Sequence, residues 1–139
     1  METVKLTYEI DGDNFNAAGD ASTAVKRVLK KLRLPPQIVR RAVVCMYEGE
    51  INMVIHAHGG KITVTVDDDA VTMVLADVGP GIPDVEKAMQ AGWSTASEAV
   101  RQQGFGAGMG LPNMKKNADT LEIDTVVGVG TTVTAVVRL

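Results

Sequence analysis

A chain of 139 residues, 45% hydrophobic and 22% charged, has the size and balance of one globular domain. Fourteen Lys and Arg against seventeen Asp and Glu give a net charge of −3, which disfavours direct binding to nucleic acid. The N-terminus carries no basic segment followed by an apolar one, and no apolar run approaches the roughly 20 residues that cross a bilayer. We therefore expect a single domain, residues 1–139, in the cytoplasm, with no direct contact to nucleic acid or membrane.

The first part of the chain contains the patterns of one strand and two helices. Residues 4–10 alternate between polar and apolar, which predicts a half-buried strand, and residues 15–17 fit a short partner strand. Asp20 or Ser22 then caps a helix whose apolar residues recur at helical spacing. The proline pair that follows ends this helix and opens a second one, over residues 37–57, whose mostly apolar composition predicts a buried position.

The second part is rich in strand patterns. Residues 62–66 and 71–75 flank an acidic turn, which predicts an antiparallel hairpin. The remaining elements are predicted as helices over residues 83–91 and 109–117 and strands over residues 121–126 and 131–138. Because the strands alternate between apolar and polar residues, we expect an α+β fold: a two-layer sandwich of a mixed, mostly antiparallel sheet with helices on one face.

Three polar residues of the second helix, Glu48, Asn52 and His56, follow at four-residue spacing, so they project from one ridge. An amide oxygen such as that of Asn52 suits Mg²⁺, which takes few protein ligands beside water and phosphate oxygens. A carboxylate one turn away, Glu48, suits a general base for a hydroxyl that attacks a phosphoryl group. The spacing alone is more typical of an ordinary polar helix face, and the glycine-rich segments favour the site interpretation. Glu50 points away from Asn52, so we place it outside this site.

Two glycine-rich segments strengthen the site interpretation. Asp77 ends an apolar strand, and residues 78–82 read Val-Gly-Pro-Gly-Ile, a turn against which a flat ring could lie while the carboxylate reads an exocyclic amine. Alternate glycines from Gly104 to Gly110 lead into a helix, an arrangement that presents backbone N–H groups to a phosphate chain. Taken alone, the first segment is also typical of a plain loop and the second of a flexible hinge.

Other phosphate-binding motifs do not fit this sequence. No Gly-Lys pair is followed by Ser or Thr, as a Walker loop requires. The dinucleotide fingerprint needs a sixth-position glycine, but counting from Gly104 or Gly106 that position is Met109 or Leu111. The Val-Ala-Ile-Lys, His-Arg-Asp and Asp-Phe-Gly motifs of eukaryotic-type kinases are also missing.

The order of these motifs resembles the ATPase superfamily that contains gyrase, histidine kinases and mismatch-repair ATPases, with its Bergerat fold. Within it, the chain is similar to the small anti-sigma regulatory factors that act as serine/threonine protein kinases. The resemblance extends from the strand at Val4 to the last strand, and the Asp77-Val-Gly-Pro-Gly-Ile-Pro segment is its most specific part.

The resemblance implies roles for individual residues. Asn52 would ligate a Mg²⁺ ion that bridges the phosphates, and Glu48 would be the base for a protein hydroxyl. Asp77 would bind the adenine amine, Thr131 would support the ring through water, and residues 92–105 would form a mobile lid. The implied nucleotide-binding set is Asn52, His56, Asp77, Gly79, Gly81, Ile82, Gly104, Gly106, Gly108, Met109, Gly110, Leu111 and Thr131.

The function implied by this resemblance is that of a protein serine/threonine kinase. It would use ATP and Mg²⁺ to phosphorylate a small regulatory protein, an anti-sigma antagonist of the STAS class. The alternative is a non-catalytic, nucleotide-gated module that sequesters a sigma factor or another regulator. The ATP-binding half of a histidine kinase is not expected, because no phospho-accepting helical hairpin precedes the domain. Family members often pair, which leaves a homodimer open.

Two departures from the family pattern bear on these expectations. Some members carry an arginine immediately before the glycine loop, where this chain has Gln102 and Gln103, and Arg101 is the nearest substitute. This difference favours the non-catalytic alternative slightly. Gly49 and Glu50 stand where small apolar residues are more usual. A helical glycine costs about 1 kcal/mol relative to alanine, so Gly49 predicts close approach of a ligand or of another helix.

Seven basic residues and no acidic one lie between Lys26 and Arg41. On the first helix they fall opposite the apolar stripe, which is typical of a solvated face. In an otherwise acidic chain they also allow a second interpretation, a docking surface for an acidic protein.

Overall fold

The computed structural model describes residues 2–12, 17–57, 59–82, 85, 89 and 110–139. The described strands are β1 (Val4–Asp11), β2 (Gly59–Val66), β3 (Ala70–Asp77), β4 (Thr120–Val126) and β5 (Gly130–Arg138). The described helices are α1 (Asp20–Lys31), α2 (Pro36–His56) and α3 (Gly110–Asn117). The helix expected over residues 83–91 and the strand expected over residues 15–17 fall largely outside the described residues, and Ala17 is not in a strand.

The five strands form one sheet in the order β1-β2-β3-β5-β4. Every neighbouring pair is antiparallel, and β5 lies between β3 and β4. This arrangement brings the end of β3 and the start of β5 to the same edge of the sheet, because Ala76 pairs with Thr132. The predicted α+β sandwich with a mostly antiparallel sheet is confirmed.

One hydrophobic core lies between the sheet and the helices. Along β2 and β3 alternate residues are buried, because successive side chains of a strand point to opposite faces. Helix α2 contacts α1 on one flank and α3 on the other, and its buried side lies on the sheet. The fully buried core side chains include Val25, Leu29, Met46, Ile62, Val64, Met73, Met114 and Val137. Among the described residues, no helix is both long and apolar enough to span a bilayer.

The N-terminus of α1 is capped by a residue of another helix. Neither Asp20 nor Ser22 caps it as predicted: the N-cap is Gly19, at φ 96°, which makes no side-chain cap. Instead Glu50 of α2, only 2% exposed, accepts hydrogen bonds from the backbone N–H groups of Gly19 (3.0 Å), Ala21 (3.2 Å) and Ser22 (2.9 Å). The Ser22 hydroxyl donates a fourth bond, at 2.6 Å. A buried carboxylate thus satisfies three of the free N–H groups at the start of α1.

Gly49 allows α2 to lie close to the sheet. A Cβ at this position would lie 2.2 Å from Cδ2 of Leu75 on β3, which is closer than carbon atoms can approach. The sequence predicted an approaching ligand or helix, whereas the neighbour is a strand side chain. Gly49 therefore sets the distance between α2 and β3, and with it the position of Glu48 and Asn52 above the sheet edge.

The acidic turn of the β2–β3 hairpin is organised by Asp67. Its carboxylate oxygen Oδ1 accepts the backbone N–H groups of Asp69 (2.8 Å) and Ala70 (2.9 Å). This is the local side-chain to backbone bonding that makes Asp common in turns. It explains the acidic run as turn chemistry.

Candidate functional site

Asp77 is the last residue of β3, and it lies beside Gly130, the first residue of the neighbouring strand β5. Its Oδ1 accepts the backbone N–H of Gly79 at 3.0 Å and that of Thr131 at 2.9 Å. A Cβ at Gly130 would lie 2.3 Å from the Asp77 carbonyl oxygen, so only glycine fits beside the strand end. These two donors orient the carboxylate through one oxygen, and no hydrogen bond to the other oxygen is formed by a described residue.

The turn after Asp77 is held against β4. Gly81 has φ 80°, and a Cβ there would lie 2.7 Å from the carbonyl oxygen of Val126, so this position requires glycine. The N–H of Ile82 donates to the Thr125 hydroxyl at 2.8 Å, and Oγ1 of Thr125 lies 2.9 Å from Oγ1 of Thr131. A chain of short polar contacts thus joins the turn to the carboxylate of Asp77.

Glu48 lies half-buried on the face of α2 that meets α3. Its Oε1 accepts a hydrogen bond of 3.2 Å from the side-chain amide of Asn113. Burial raises the pKa of the Glu48 carboxyl above its usual value, and the hydrogen bond from Asn113 opposes that rise. A carboxylate with a raised pKa, one of whose oxygens accepts no hydrogen bond from a described residue, is suited to accept a proton.

Asn52 lies one turn further along α2, against the first residue of α3. A Cβ at Gly110 would lie 2.9 Å from Nδ2 and 3.0 Å from Oδ1 of Asn52. Gly110 therefore leaves the amide of Asn52 room that any other residue would fill. The far end of α3 is anchored as well, because Nε of Arg41 donates to the carbonyl oxygen of Asn117 at 2.8 Å and the same guanidinium pairs with Asp119 at 3.1 Å.

The turn after Asp77 contacts the end of α2. A Cβ at Gly79 would lie 2.7 Å from the Cβ of Ala57, so this turn packs directly against the residue that follows α2. Asn52 and Glu48 lie five and nine residues before Ala57 in the chain. The α2 ridge and the Asp77 turn were predicted to form one site, and the described residues place the turn beside the C-terminal end of the helix that carries the ridge.

Other predicted site residues are placed only in part. His56 ends α2, and its side chain lies outside the described residues, as do Gly104, Gly106, Gly108 and Met109 and the lid over residues 92–105. Leu111 is buried at 8% exposure and belongs to the hydrophobic core. Thr131, at 4% exposure, is buried beside Asp77.

Sequence reasoning missed two polar residues at this site, Thr125 and Asn113. Thr125 stands directly opposite Thr131 in the β4–β5 register, but that pairing is defined only once the strands are aligned. Asn113 lies three residues after Gly110, so it is on the same side of α3 as the glycine that meets Asn52. The three-residue spacing from Gly110 was a sequence signal for Asn113, but it did not identify Glu48 as the partner.

The sequence matches the histidine kinase-like ATPase domain family over residues 14–137. An anti-sigma F factor of Caldanaerobacter subterraneus subsp. tengcongensis is 38% identical over 91 residues, which cover 62% of this chain and 60% of that protein. The serine/threonine-protein kinase RsbT of Bacillus subtilis is 30% identical over 115 residues, 80% of each chain. An anti-sigma F factor of Geobacillus stearothermophilus is 30% identical over 114 residues, 82% of this chain and 67% of the relative.

The chain belongs to the histidine kinase-like ATPase domain family, because the match covers almost its whole length. The expected resemblance to anti-sigma regulatory factors and their kinase relatives is confirmed. Membership of an ATPase domain family implies ATP as the ligand. The chain spans less than two thirds of the length of the Caldanaerobacter protein that it matches.

Proposed function

We propose that this protein is an ATP-dependent serine/threonine kinase of the anti-sigma factor type, which transfers the γ-phosphoryl group of ATP to a small regulatory protein. The observation that carries this proposal is the position of Glu48. Its carboxylate is half-buried, has a raised pKa and stands one helical turn from Asn52. A base next to the phosphate-binding residue is what transfer to a hydroxyl requires.

We assign the nucleotide to the region bordered by α2, the turn after β3 and the start of β5. Asp77 would accept a hydrogen bond from the adenine amine through Oδ2, which no described residue occupies, and Thr131 and Thr125 would support the ring. Gly79 and Gly81 let the turn pack against Ala57 and the Val126 carbonyl, which fixes the backbone beside the proposed position of the base. Gly104, Gly106 and Gly108, which lie outside the described residues, would cover the phosphates together with Gly110.

Mg²⁺ would be held by Asn52. The fit rests on the space that Gly110 leaves at the Asn52 amide, where a Cβ would lie within 3.0 Å of its oxygen. An ion held there would take most of its ligands from phosphate and water. The ion would neutralise charge on the phosphates during transfer.

The first test replaces Glu48 by alanine. Nucleotide affinity of Glu48→Ala, measured by calorimetry, should stay within about threefold of the wild type, because the base contributes to the transition state rather than to ground-state binding. Phosphoryl transfer should fall by about 100-fold or more. Glu122→Ala, which removes an exposed glutamate of β4, is the matched control and should change neither. Equal loss of binding and transfer in Glu48→Ala would contradict the assignment of Glu48 as the base.

A second candidate function is a nucleotide-gated module that sequesters a sigma factor or another regulator without transfer. It is favoured by Gln102 and Gln103, which stand where some relatives place an arginine that would steady the terminal phosphate. Incubation with γ-labelled ATP and candidate partners separates the two functions. Only the kinase leaves acid-stable label on a partner, whereas the binding module forms a nucleotide-dependent complex and leaves none.

The partner proposed for either function is a small protein with an acidic surface, an anti-sigma antagonist of the STAS class for the kinase. It would dock on the basic surface of the α1–α2 hairpin, which consists of the exposed residues Lys26, Arg27, Lys30, Lys31, Arg33 and Arg40. None of these residues forms an ion pair with a described residue. A cluster of unpaired positive side chains attracts a negatively charged partner and accelerates its association.

Charge reversal tests this surface. Lys30→Glu combined with Lys31→Glu should weaken partner binding at low salt by about tenfold and leave ATP affinity unchanged. The control reverses Lys5 and Lys61, two exposed lysines of β1 and β2 away from the hairpin, and should leave the partner affinity within about twofold. Unaltered partner affinity in the Lys30 and Lys31 variant would rule out this docking surface.

A further inference from the structure

The contact between Asn113 and Glu48 joins two elements that have separate tasks in the proposed site. Glu48 is on α2, and Asn113 is on α3, the helix that begins at the last of the alternating glycines. The bond of 3.2 Å connects residues 65 positions apart in the chain. No other hydrogen bond to the Glu48 carboxylate is made by a described residue.

Helix α3 touches both motif residues of α2 at once. Its first residue, Gly110, packs against the amide of Asn52, and Asn113, three residues later, donates to Glu48. The spacing of four between Glu48 and Asn52 on α2 and of three between Gly110 and Asn113 on α3 lets the two pairs face each other. A displacement of α3 along α2 would therefore disturb both residues together.

We propose that Asn113 is a positioning residue for Glu48: its amide holds Oε1 and leaves Oε2 free to receive the proton of the protein hydroxyl. This inference rests on the proposed kinase function. A half-buried carboxylate without a partner has several side-chain orientations, and only some of them place an oxygen at the reacting hydroxyl. The hydrogen bond from Asn113 fixes one orientation before the substrate arrives.

The neighbourhood of Asn113 supports a fixed amide. Its backbone carbonyl accepts the side-chain amide of Asn117 at 2.8 Å, and the next residue, Met114, is fully buried in the core. The end of α3 is held by Arg41 through the carbonyl of Asn117. The helix that presents Asn113 is thus anchored to α2 on both sides of it.

The kinetic test uses Asn113→Ala, with Lys116→Ala, at an exposed position of the same helix, as the matched control. Asn113→Ala should lower the rate of transfer at saturating ATP by about tenfold and change the KM for ATP by less than about twofold. Lys116→Ala should leave both close to the wild type. If wild-type protein transfers phosphate and Asn113→Ala transfers equally fast, the inference is overturned while the proposed function stands. If wild-type protein transfers none, the proposed function is overturned and the inference falls with it.

A second pair of variants measures the contact without any activity assay. Asn113→Asp has the same shape but sets a second carboxylate against Glu48, so it should lower the midpoint of thermal unfolding at pH 7 by about 3 °C. In the Glu48→Gln background the same substitution should leave the midpoint unchanged, because the repulsion is gone. Equal shifts in the two backgrounds would show that Asn113 acts through α3 alone and would overturn the inference.

Discussion

Helix α2 has two flanks that carry a glutamate each, and the two carboxylates are used in opposite ways. On the flank toward α1, Glu50 is 2% exposed and accepts four hydrogen bonds. On the flank toward α3, Glu48 is half-buried and accepts one bond from a described residue, that of Asn113. The two positions are separated by Gly49, which packs on the sheet.

The comparison shows that the surroundings of a carboxylate determine whether it stabilises the fold or can act on a substrate. A fully satisfied buried charge gains its stabilisation from the donors that surround it and has no oxygen left for a substrate. A partly desolvated charge with a single donor keeps a raised pKa and a free oxygen. We therefore expect the α1–α2 contact to determine stability and the α2–α3 contact to determine activity.

The largest expected effect is on the α1–α2 contact. Glu50→Ala leaves the N–H groups of Gly19, Ala21 and Ser22 buried without an acceptor, so the free energy of unfolding should fall by about 3 kcal/mol. Glu50→Gln keeps one acceptor oxygen and should lose less. Urea denaturation at pH 7 measures both. Glu122→Ala, at an exposed position, is the control and should stay within about 0.5 kcal/mol; similar losses for Glu50→Ala and Glu122→Ala would remove the distinction between the flanks.

A smaller effect is expected between the flanks, at Gly49. Gly49→Ala should lower the free energy of unfolding by about 1 kcal/mol, because the clash with Leu75 outweighs the gain in helix propensity. The matched variant adds Leu75→Ala, which removes the clashing methyl groups. In a double-mutant cycle by urea denaturation, the two substitutions together should cost less than the sum of their separate effects. Additive costs would mean that Gly49 does not set the spacing between α2 and β3.

Local patterns were sufficient to predict the two-layer fold because most of the described strands and α1 are amphipathic and α2 is mostly apolar. Residues 62–66, for instance, alternate between apolar and polar, and they pair with residues 71–75 as a hairpin. The cap of α1 could not be predicted in this way, since Glu50 and Ser22 are 28 residues apart and meet only after the helices pack. For the same reason the sequence indicated the carboxylate of Asp77 but not its bond from the backbone N–H of Thr131, which is 54 residues away.

The candidate site was predictable to a similar extent. Asp77, the glycines that follow it and the Glu48–Asn52 spacing are local motifs, so they were visible in the sequence. The structure packs the turn after Asp77 against the end of the helix that carries Glu48 and Asn52. Asn113 and Thr125 act across elements. Their partners depend on the α2–α3 packing and on the β4–β5 register, and neither is encoded in the spacing of a single segment.

A further expected difference between the flanks is in pH dependence. The pKa of Glu48 is raised in the folded protein, so between the unfolded pKa and the folded pKa the native state binds more protons than the unfolded state. The contribution of Glu48 to the free energy of unfolding therefore decreases as pH rises through that window. Subtracting the urea-derived profile of Glu48→Gln from that of the wild type isolates this contribution, because other carboxyls such as Asp119 cancel. A difference that grows with pH would contradict the raised pKa.

The smallest expected effect is on the reactivity of the Cys45 thiol, which reports whether α3 remains packed against α2. Cys45 lies one turn before Glu48, has 0% exposure, and its Sγ lies 3.6 Å from the carbonyl oxygen of Met114 on α3. Burial raises the pKa of its thiol to about 11. At pH 8 roughly one molecule in a thousand would carry the reactive thiolate, so an aromatic disulfide reagent should react far more slowly with the native protein than with protein in urea. Rapid labelling of the native protein would show that α3 separates from α2 in the absence of nucleotide. Glu48 would then lack a fixed orientation, and the comparison of the two flanks of α2 depends on that orientation.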